Sequence, residues 1–406
     1  MKINNVFILS LYFLIFISCI AKHEDTTKMK SPATFAADAE FMAKHKKYIL
    51  LQDETGDAKV LVVPDYQGRV MTSTATGDEG ISFGWLNYEL IASGQLNKHI
   101  NAFGGEDRFW IGPEGGQFSI FFKKGDPFDL EHWQTPAPID SEPFDVVSQS
   151  ETQVIFHKNM QLVNYSNTVF SLDIERVIRL LNNDDINRTL DQNIDPYLKA
   201  VAFETVNKMT NSGENAWKKE TGLLSIWILG MLNPSEGVTV VIPLREDAIV
   251  NDAYFGKVPE GRLVIKNGVA FFKGDGQHRS KIGVPPSSAK PVMGSYDSVK
   301  NVLTIVQYSF DESAEHYVNS AWELQEDPYS GDVINSYNDG PPAPGAKPLG
   351  PFYELESSSP AKELSPGETL THIHRTFHFT GAQKTLDDIA QSQLGVGLDE
   401  INSALQ

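Results

Sequence analysis

Thr371–Gly381 reads THIHRTFHFTG, and its alternation decides the fold class. In an extended chain successive side chains point to opposite sides. Ile373, Phe377 and Phe379 then share one face, and His372, His374, Thr376 and His378 share the other. The pattern predicts an antiparallel strand with its apolar face buried and its histidine face solvated. Comparable runs recur outward from it. They include KVLVVPD (Lys59–Asp65), QFSIFF (Gln117–Phe122), TQVIFHKNMQLVNYS (Thr152–Ser166), VFSLDIERVIRLL (Val169–Leu181), GVTVVIPL (Gly237–Leu244), RLVIKNGVAFF (Arg262–Phe272) and NVLTIVQYSF (Asn301–Phe310). Helical patterning is confined to TFAADAEFMAKH near the start and KTLDDIAQSQL at the end. Many strands separated by Asn, Gly and Pro turns predict one large all-β antiparallel sandwich, with short helices near both termini.

The chain has 406 residues, a formal net charge of −19 and 41% hydrophobic residues. That charge disfavours nucleic acid, whose binding relies on Lys and Arg neutralising phosphates. It favours a monomer that stays in solution. No glycine-rich loop opens a helix, so nucleotide binding has no support and no cofactor is expected.

The opening MKINNVFILSLYFLIFISCIAK has a charged start, a short apolar middle and a small-residue exit. The apolar run is too short to cross a bilayer, which takes about 20 residues, and it reads as a secretory signal over residues 1–18. Phe16-Ile17-Ser18-Cys19 resembles a bacterial lipobox, and Cys19 is the sole cysteine. This predicts lipidation at Cys19, a polar tether over residues 19–33 and a folded domain over residues 34–406. The expected location is the bacterial cell envelope. Ile20 offers no inner-membrane retention signal, which favours the outer membrane. An ordinary signal peptide with an incidental cysteine is the plainer alternative.

The stretch Gly104–Gly116, GGEDRFWIGPEGG, concentrates charge around one indole. If it is extended, Glu106, Arg108 and Trp110 line one side, with neighbours two apart separated by about 6.6 Å. Glu114 joins them only if Gly112-Pro113 bends the chain. A carboxylate and a guanidinium beside an aromatic ring suit a sugar, whose hydroxyls both donate and accept while its apolar face stacks. The plainer alternative is a structural Arg–Glu pair with Trp110 in the core.

Other candidates follow. Trp133 and Trp322 are stacking platforms or core. Lys281 and His278, in GQHRSKIGVPP, are proton donors or solvated groups. Asn338 and Asp339 lie in a turn that can carry ligand contacts. Glu354 and Glu356 share one face of a short strand. His372 and His374 have the spacing of a metal pair, but without a third ligand no metal site is expected.

The closing segment resembles that of galactose mutarotases (aldose 1-epimerases). Their catalytic glutamate lies in a Leu-Glu-Thr-like stretch before a Leu-x-Pro-Gly-Glu turn and a last strand. Leu355-Glu356-Ser357 and Leu364-Ser365-Pro366-Gly367-Glu368 fit that order. GGEDRFWIGPEGG also resembles a segment of uncharacterised mutarotase-like bacterial proteins, with its glycine pair, tryptophan and Pro-Glu step. The resemblance spans roughly Tyr48 to Gly381. It implies a β-supersandwich with a carbohydrate site on a concave face, Glu356 as general base and Arg108 gripping the substrate. It also implies a histidine as general acid near Asn207–Pro234. That stretch, NKMTNSGENAWKKETGLLSIWILGMLNP, contains none, and Trp227 is its notable residue.

Three readings of function stand at this point. The first is an envelope-anchored carbohydrate-binding protein with aldose epimerase-like chemistry on Glu356, its partner a mono- or oligosaccharide. The second is a glycan-binding module without turnover. The third is a glycoside hydrolase or lyase pairing Glu356 with Glu106 or Glu114 across about 5–9 Å. Burial of Glu356 behind side chains, with no open cleft above it, would sink both enzymatic readings.

Overall fold

The computed structural model describes residues 34–343 and 345–406. The expected signal over residues 1–18, Cys19 and the tether over residues 19–33 lie outside the described residues. Helix α1 (Phe35–His45) precedes strands β1 (Ile49–Gln52), β2 (Lys59–Val63) and β3 (Arg69–Thr74), which form a small sheet in that order. Helix α2 (Tyr88–Ser93), strand β4 (Arg108–Gly112) and helix α3 (Ala137–Asp140) follow. Next come β5 (Asp145–Gln149), β6 (Gln153–Val163), β7 (Val169–Leu180), helix α4 (Asn183–Leu190) and β8 (Lys199–Asn211). Then come β9 (Ser225–Leu232), β10 (Val238–Pro243), β11 (Leu263–Lys266), β12 (Val269–Lys273), β13 (Ser280–Val284), β14 (Val292–Asp297) and β15 (Val302–Tyr308). The chain closes with β16 (Ile334–Asn338), β17 (Tyr353–Ser358), β18 (Thr369–Thr380), α5 (Gln383–Leu394) and α6 (Leu398–Ser403).

Every named strand pairing is antiparallel. One sheet has ten strands in the order β11-β12-β10-β14-β15-β18-β8-β7-β6-β5, and a second has five in the order β13-β16-β17-β9-β4. Hydrogen bonds from Ser357 of β17 to His372 and His374 of β18, and from Ser295 of β14 to Tyr353 of β17, show that these two sheets face each other. The architecture is the large antiparallel sandwich that the alternation predicts.

The orientation of β18 differs from expectation. His372, His374, Thr376 and His378 are buried against the second sheet rather than solvated. Phe377 and Phe379 point outward, where Leu386, Ile389, Leu394, Leu398 and Ile401 of α5 and α6 cover them. The reason is a polar strip inside the sandwich. Arg176 is fully buried and donates from Nη2 to Asp107 Oδ1 (2.5 Å), from Nη1 to Asn207 Oδ1 (2.5 Å) and from Nε to the Gly68 carbonyl (3.1 Å). Thr205 donates to the other oxygen of Asp107 at 2.9 Å. With these groups satisfied by one another, burying them does not carry the cost of an unpaired charge. The imidazoles belong to this strip. Ser357 Oγ lies 2.8 Å from both His372 Nε2 and His374 Nδ1. Burial pushes His372 down to about 3 and His374 to about 4, so both rings are neutral at neutral pH.

Candidate functional site

Strand alternation turns β17 into a divider. Tyr353, Leu355 and Ser357 face the sandwich interior, leaving Glu354 and Glu356 on the outer side of the five-stranded sheet. Cross-strand pairing extends that outer row on both sides. Glu356 stands opposite Asn335 and Leu229, Leu229 opposite Arg108, and Trp227 opposite Trp110. On the far side Lys281 stands opposite Tyr337. Paired residues of an antiparallel sheet project to the same face. Four strands of this sheet, β13, β17, β9 and β4, therefore bring Lys281, Glu354, Glu356, Trp227, Arg108 and Trp110 to one face.

Glu356 is the centre and is fully buried. Its Oε2 accepts from Trp227 Nε1 and from Lys281 Nζ, each at 3.0 Å. Its Oε1 has no partner among the described residues. The Lys281 ammonium also lies 4.7 Å from the Trp227 ring and 5.6 Å from the Tyr254 ring, near enough for cation–π attraction. Burial alone would lower the Lys281 pKa, but Glu356, Glu354 and Glu114 outweigh it and raise it. The lysine stays charged. Glu354 is pushed well above the ordinary carboxylate range, first by burial and then by the charge of Glu356, against the pull of Lys281 and Arg108.

Arg108 is fully buried and donates from Nη2 to Asp140 Oδ1 at 2.8 Å. Asp140 is held by the backbone N–H of Asn101 (3.1 Å) and its side-chain amide (2.6 Å). Burial lowers the Arg108 pKa to about 10, with Asp140 and Glu354 opposing, so it is a cation at neutral pH. Its guanidinium lies 3.8 Å from the Trp110 ring centre. Arg108 Nε, Arg108 Nη1 and Trp110 Nε1 are buried and unpartnered among the described residues. Trp110 is therefore not a free stacking surface. Arg108 covers its ring, Phe121 stacks on it at 5.4 Å and Trp227 meets it edge-on.

The glycine pairs in Gly104–Gly116 have separate roles. Gly105 has φ +110°, and a Cβ there would lie 2.7 Å from the Arg69 side chain. The chain bends here, and regular strand begins only at Arg108. The predicted row of Glu106, Arg108 and Trp110 is therefore corrected. Glu106 points into the sandwich interior, where its carboxylate takes the Ser73 backbone N–H and hydroxyl and meets His378 Nε2 at 2.9 Å. It cannot face Glu356, and the hydrolase pairing through Glu106 falls with it. Gly115 lies against the Ser320–Ala321 backbone, with a Cβ position 2.2 Å from the Ala321 carbonyl. That approach sets Glu114 beneath Trp322, whose Nε1 donates to its carboxyl at 3.2 Å. Burial raises the Glu114 pKa while Lys281 lowers it, so the bend does bring Glu114 to the site.

The remaining predicted residues divide. Trp322 stands at the rim, stacked 5.5 Å from Trp133, which is core. Asn338 and Asp339 do not face the carboxyls as free ligand groups. Asn338 accepts from Gly276 N at 2.8 Å and donates to the His278 carbonyl, and Asp339 takes the Tyr337 hydroxyl and Gly350 N–H, so both pin loops. His278 is exposed. His372 and His374 lie on the other side of the sheet.

Sequence reasoning missed Asp140, Tyr254, Arg279 and Asp332. Tyr254 donates its hydroxyl to Asp332 and accepts from Asn335 Nδ2 at 3.1 Å. Arg279 lies 3.9 Å over Phe255, which is exposed. Arg279 alternates with Lys281 in RSK, a signal that was available. Nothing local marks the lone aspartate in TPAPIDSEP. The site is nearly closed. Glu354 keeps 5% exposure and the Lys281 side chain 12%, so Glu356 meets a ligand only if its cover of side chains opens.

The profile of a family of unknown function, DUF6786, matches residues 33–405, and the chain belongs to that family. No curated protein sequence matches it. The Slr1438 protein of Synechocystis sp. PCC 6803 shares the fold at 13% identity and a TM-score of 0.50, over 83% of this chain and 96% of that one. A galactose mutarotase-like protein from Lactobacillus casei ATCC 334 aligns at 10% identity and a TM-score of 0.46, over 82% and 100%. A GalM/aldose epimerase homologue from C. elegans aligns at 10% and 0.46, over 82% and 99%.

Proposed function

We propose that this protein is an envelope-anchored, monomeric carbohydrate-binding protein with aldose epimerase-like chemistry at Glu356. The anchor is the acylated Cys19 read from the sequence. One observation carries the site: Glu356 Oε1, Arg108 Nε and Nη1, and Trp110 Nε1 are buried yet unpartnered among the described residues, in a row that also holds Lys281. Buried polar atoms are normally satisfied, and each unmet one costs about 1–3 kcal/mol. A small polyhydroxylic ligand supplies both donors to the carboxylate and acceptors to the guanidinium. Arg108 and the Trp227 and Tyr254 rings orient the sugar, and Glu356 takes the proton of the anomeric hydroxyl. Ligand entry requires the Tyr254 and Trp322 segments to part.

The closure of the site favours one second reading, a glycan-binding module that never turns over. Saturation-transfer and exchange NMR on the purified protein with a panel of mono- and oligosaccharides separates the two. Saturation transfer with anomeric exchange above the buffer rate, lost in Glu356→Gln, supports the enzyme. Transfer without exchange supports the binding module. An absence of transfer from every sugar refutes carbohydrate recognition.

A further inference from the structure

Opening a hemiacetal ring needs a proton donor at the ring oxygen as well as a base at the anomeric hydroxyl, and no histidine is among the groups gathered at the site. We propose that Glu354 is that donor, working in tandem with Glu356 from the same face of β17. The inference rests on the epimerase reading above.

Geometry favours the pair. The ring oxygen and the anomeric hydroxyl are bonded to one carbon, so acid and base must converge on neighbouring atoms. Two side chains on one strand face, with Cα atoms about 6.6 Å apart, converge in this way. The Glu354 carboxyl accepts no hydrogen bond from the described residues, and burial first, then the charge of Glu356 on the same strand face, favour its protonated form. The surroundings then assign the roles. Lys281 Nζ and Trp227 Nε1 both donate to Glu356 Oε2, so the base position faces a cation and an N–H donor. Glu354, 5% exposed, has neither contact, and burial favours its neutral form. Paired titratable groups whose environments push them apart divide into acid and base.

The other donors fit less well. Lys281 holds its proton more tightly than usual and serves as counter-ion. Glu114 is tied to Trp322 Nε1 at the rim. Arg279 is held over Phe255, its guanidinium 3.9 Å from that ring.

The step balances. Glu356 removes the proton from the anomeric hydroxyl while the bond from the anomeric carbon to the ring oxygen breaks and Glu354 protonates that oxygen, giving the open-chain aldehyde. Rotation about the adjacent carbon–carbon bond presents the other carbonyl face. Glu354 then takes the proton back from the attacking hydroxyl, and Glu356 returns its proton to the carbonyl oxygen. Both carboxyls end as they began.

The test uses the purified protein, Glu354→Gln, Glu354→Asp and Glu354→Ala. The expected infrared spectrum at neutral pH shows a protonated-carboxyl C=O band that Glu354→Gln removes and Glu354→Asp shifts. Anomeric exchange falls by about 10²–10⁴ in kcat in Glu354→Gln with little change in KM, the size of a lost general acid. Its alkaline limb disappears from the pH profile, and added acetic acid restores part of the exchange in Glu354→Ala. An absent band, or a Glu354→Gln variant that exchanges like wild type, overturns the assignment while leaving Glu356 as base. Wild-type protein that exchanges no sugar overturns it together with the epimerase reading, and saturation transfer then still reports whether sugar binds.

Discussion

Replacing Lys281 by Met removes the ammonium 3.0 Å from Glu356 while keeping an unbranched apolar stem of similar reach. Glu356, Glu354 and Glu114 then share a buried site from which their shared counter-ion has gone. Breaking a buried pair by deleting one partner costs about 3–5 kcal/mol. Because the Lys281 side chain keeps 12% exposure, about 2–4 kcal/mol is the better figure. A domain of about 370 residues has an unfolding entropy near 0.8 kcal/mol/K, so the melting temperature falls by about 3–5 °C. The pH dependence makes the test specific. The Lys281 pKa is raised above its unfolded value of 10.5, so its own contribution is constant below that pH and is lost only in strong alkali. Any change between pH 8 and pH 5 therefore reports the carboxyls. Without the lysine, which lowers both, the raised pKa values of Glu354 and Glu114 rise further above the unfolded ones, and the folded state binds more protons than the unfolded state. Stability of the variant then recovers as pH falls. Scanning calorimetry of both proteins across this range should show the gap widest at pH 8 and narrowing toward pH 5. A deficit of equal size at both ends, or none at pH 8, would refute the idea that Lys281 holds carboxylate charge in place.

Further expectations follow from other parts of the molecule. His372 and His374, near 3 and 4 when folded, bind fewer protons than in the unfolded chain, so stability should fall as pH drops through about 6.5. The full loss is about 5 kcal/mol for His372 and about 3 kcal/mol for His374, and urea midpoints of the double Gln variant should lose most of that slope. Arg176→Met strands buried Asp107 and should cost about 3–5 kcal/mol in denaturant unfolding; a cost below 1 kcal/mol would contradict the satisfied network. Gly115→Ala pushes a methyl against the Ala321 carbonyl and should detach Glu114 from Trp322, at about 1–3 kcal/mol with altered tryptophan emission. Unchanged emission would show that the loop yields elsewhere.

Fold class was legible because the strand period is short and many runs repeat it. Which face of a strand turns inward was not. In β18 both faces are buried toward the C-terminal end, one against polar partners from β7, β8 and β17 and one beneath α5 and α6, and a sequence cannot show where either cover comes from. Glu356 and Glu354 were legible as a pair for the same reason as the fold, alternation within one strand. Glu106 misled because alternation was extended through Gly105, whose positive φ turns the chain before the strand starts. Asp140 reaches the site from the end of the short helix α3 and Tyr254 from a loop, both outside any strand, where no period of two operates. Lys281 was visible only as a cationic residue near turns; its role depends on cross-strand contact with a carboxylate 75 positions away.

The divided face of β17 also limits how this molecule can change over evolutionary time. Every position from Tyr353 to Ser358 is buried, alternately among carboxyls and among the interior imidazoles and side chains. A single-residue insertion or deletion before Glu354 would exchange the two sets, driving two acids between the sheets and pushing Leu355 and Ser357 toward the outer side. Neither set tolerates the other's surroundings. Descendants of this chain can vary the loops around the site in length with little penalty, but β17 itself can only be altered by substitution in place, or by shifts of two.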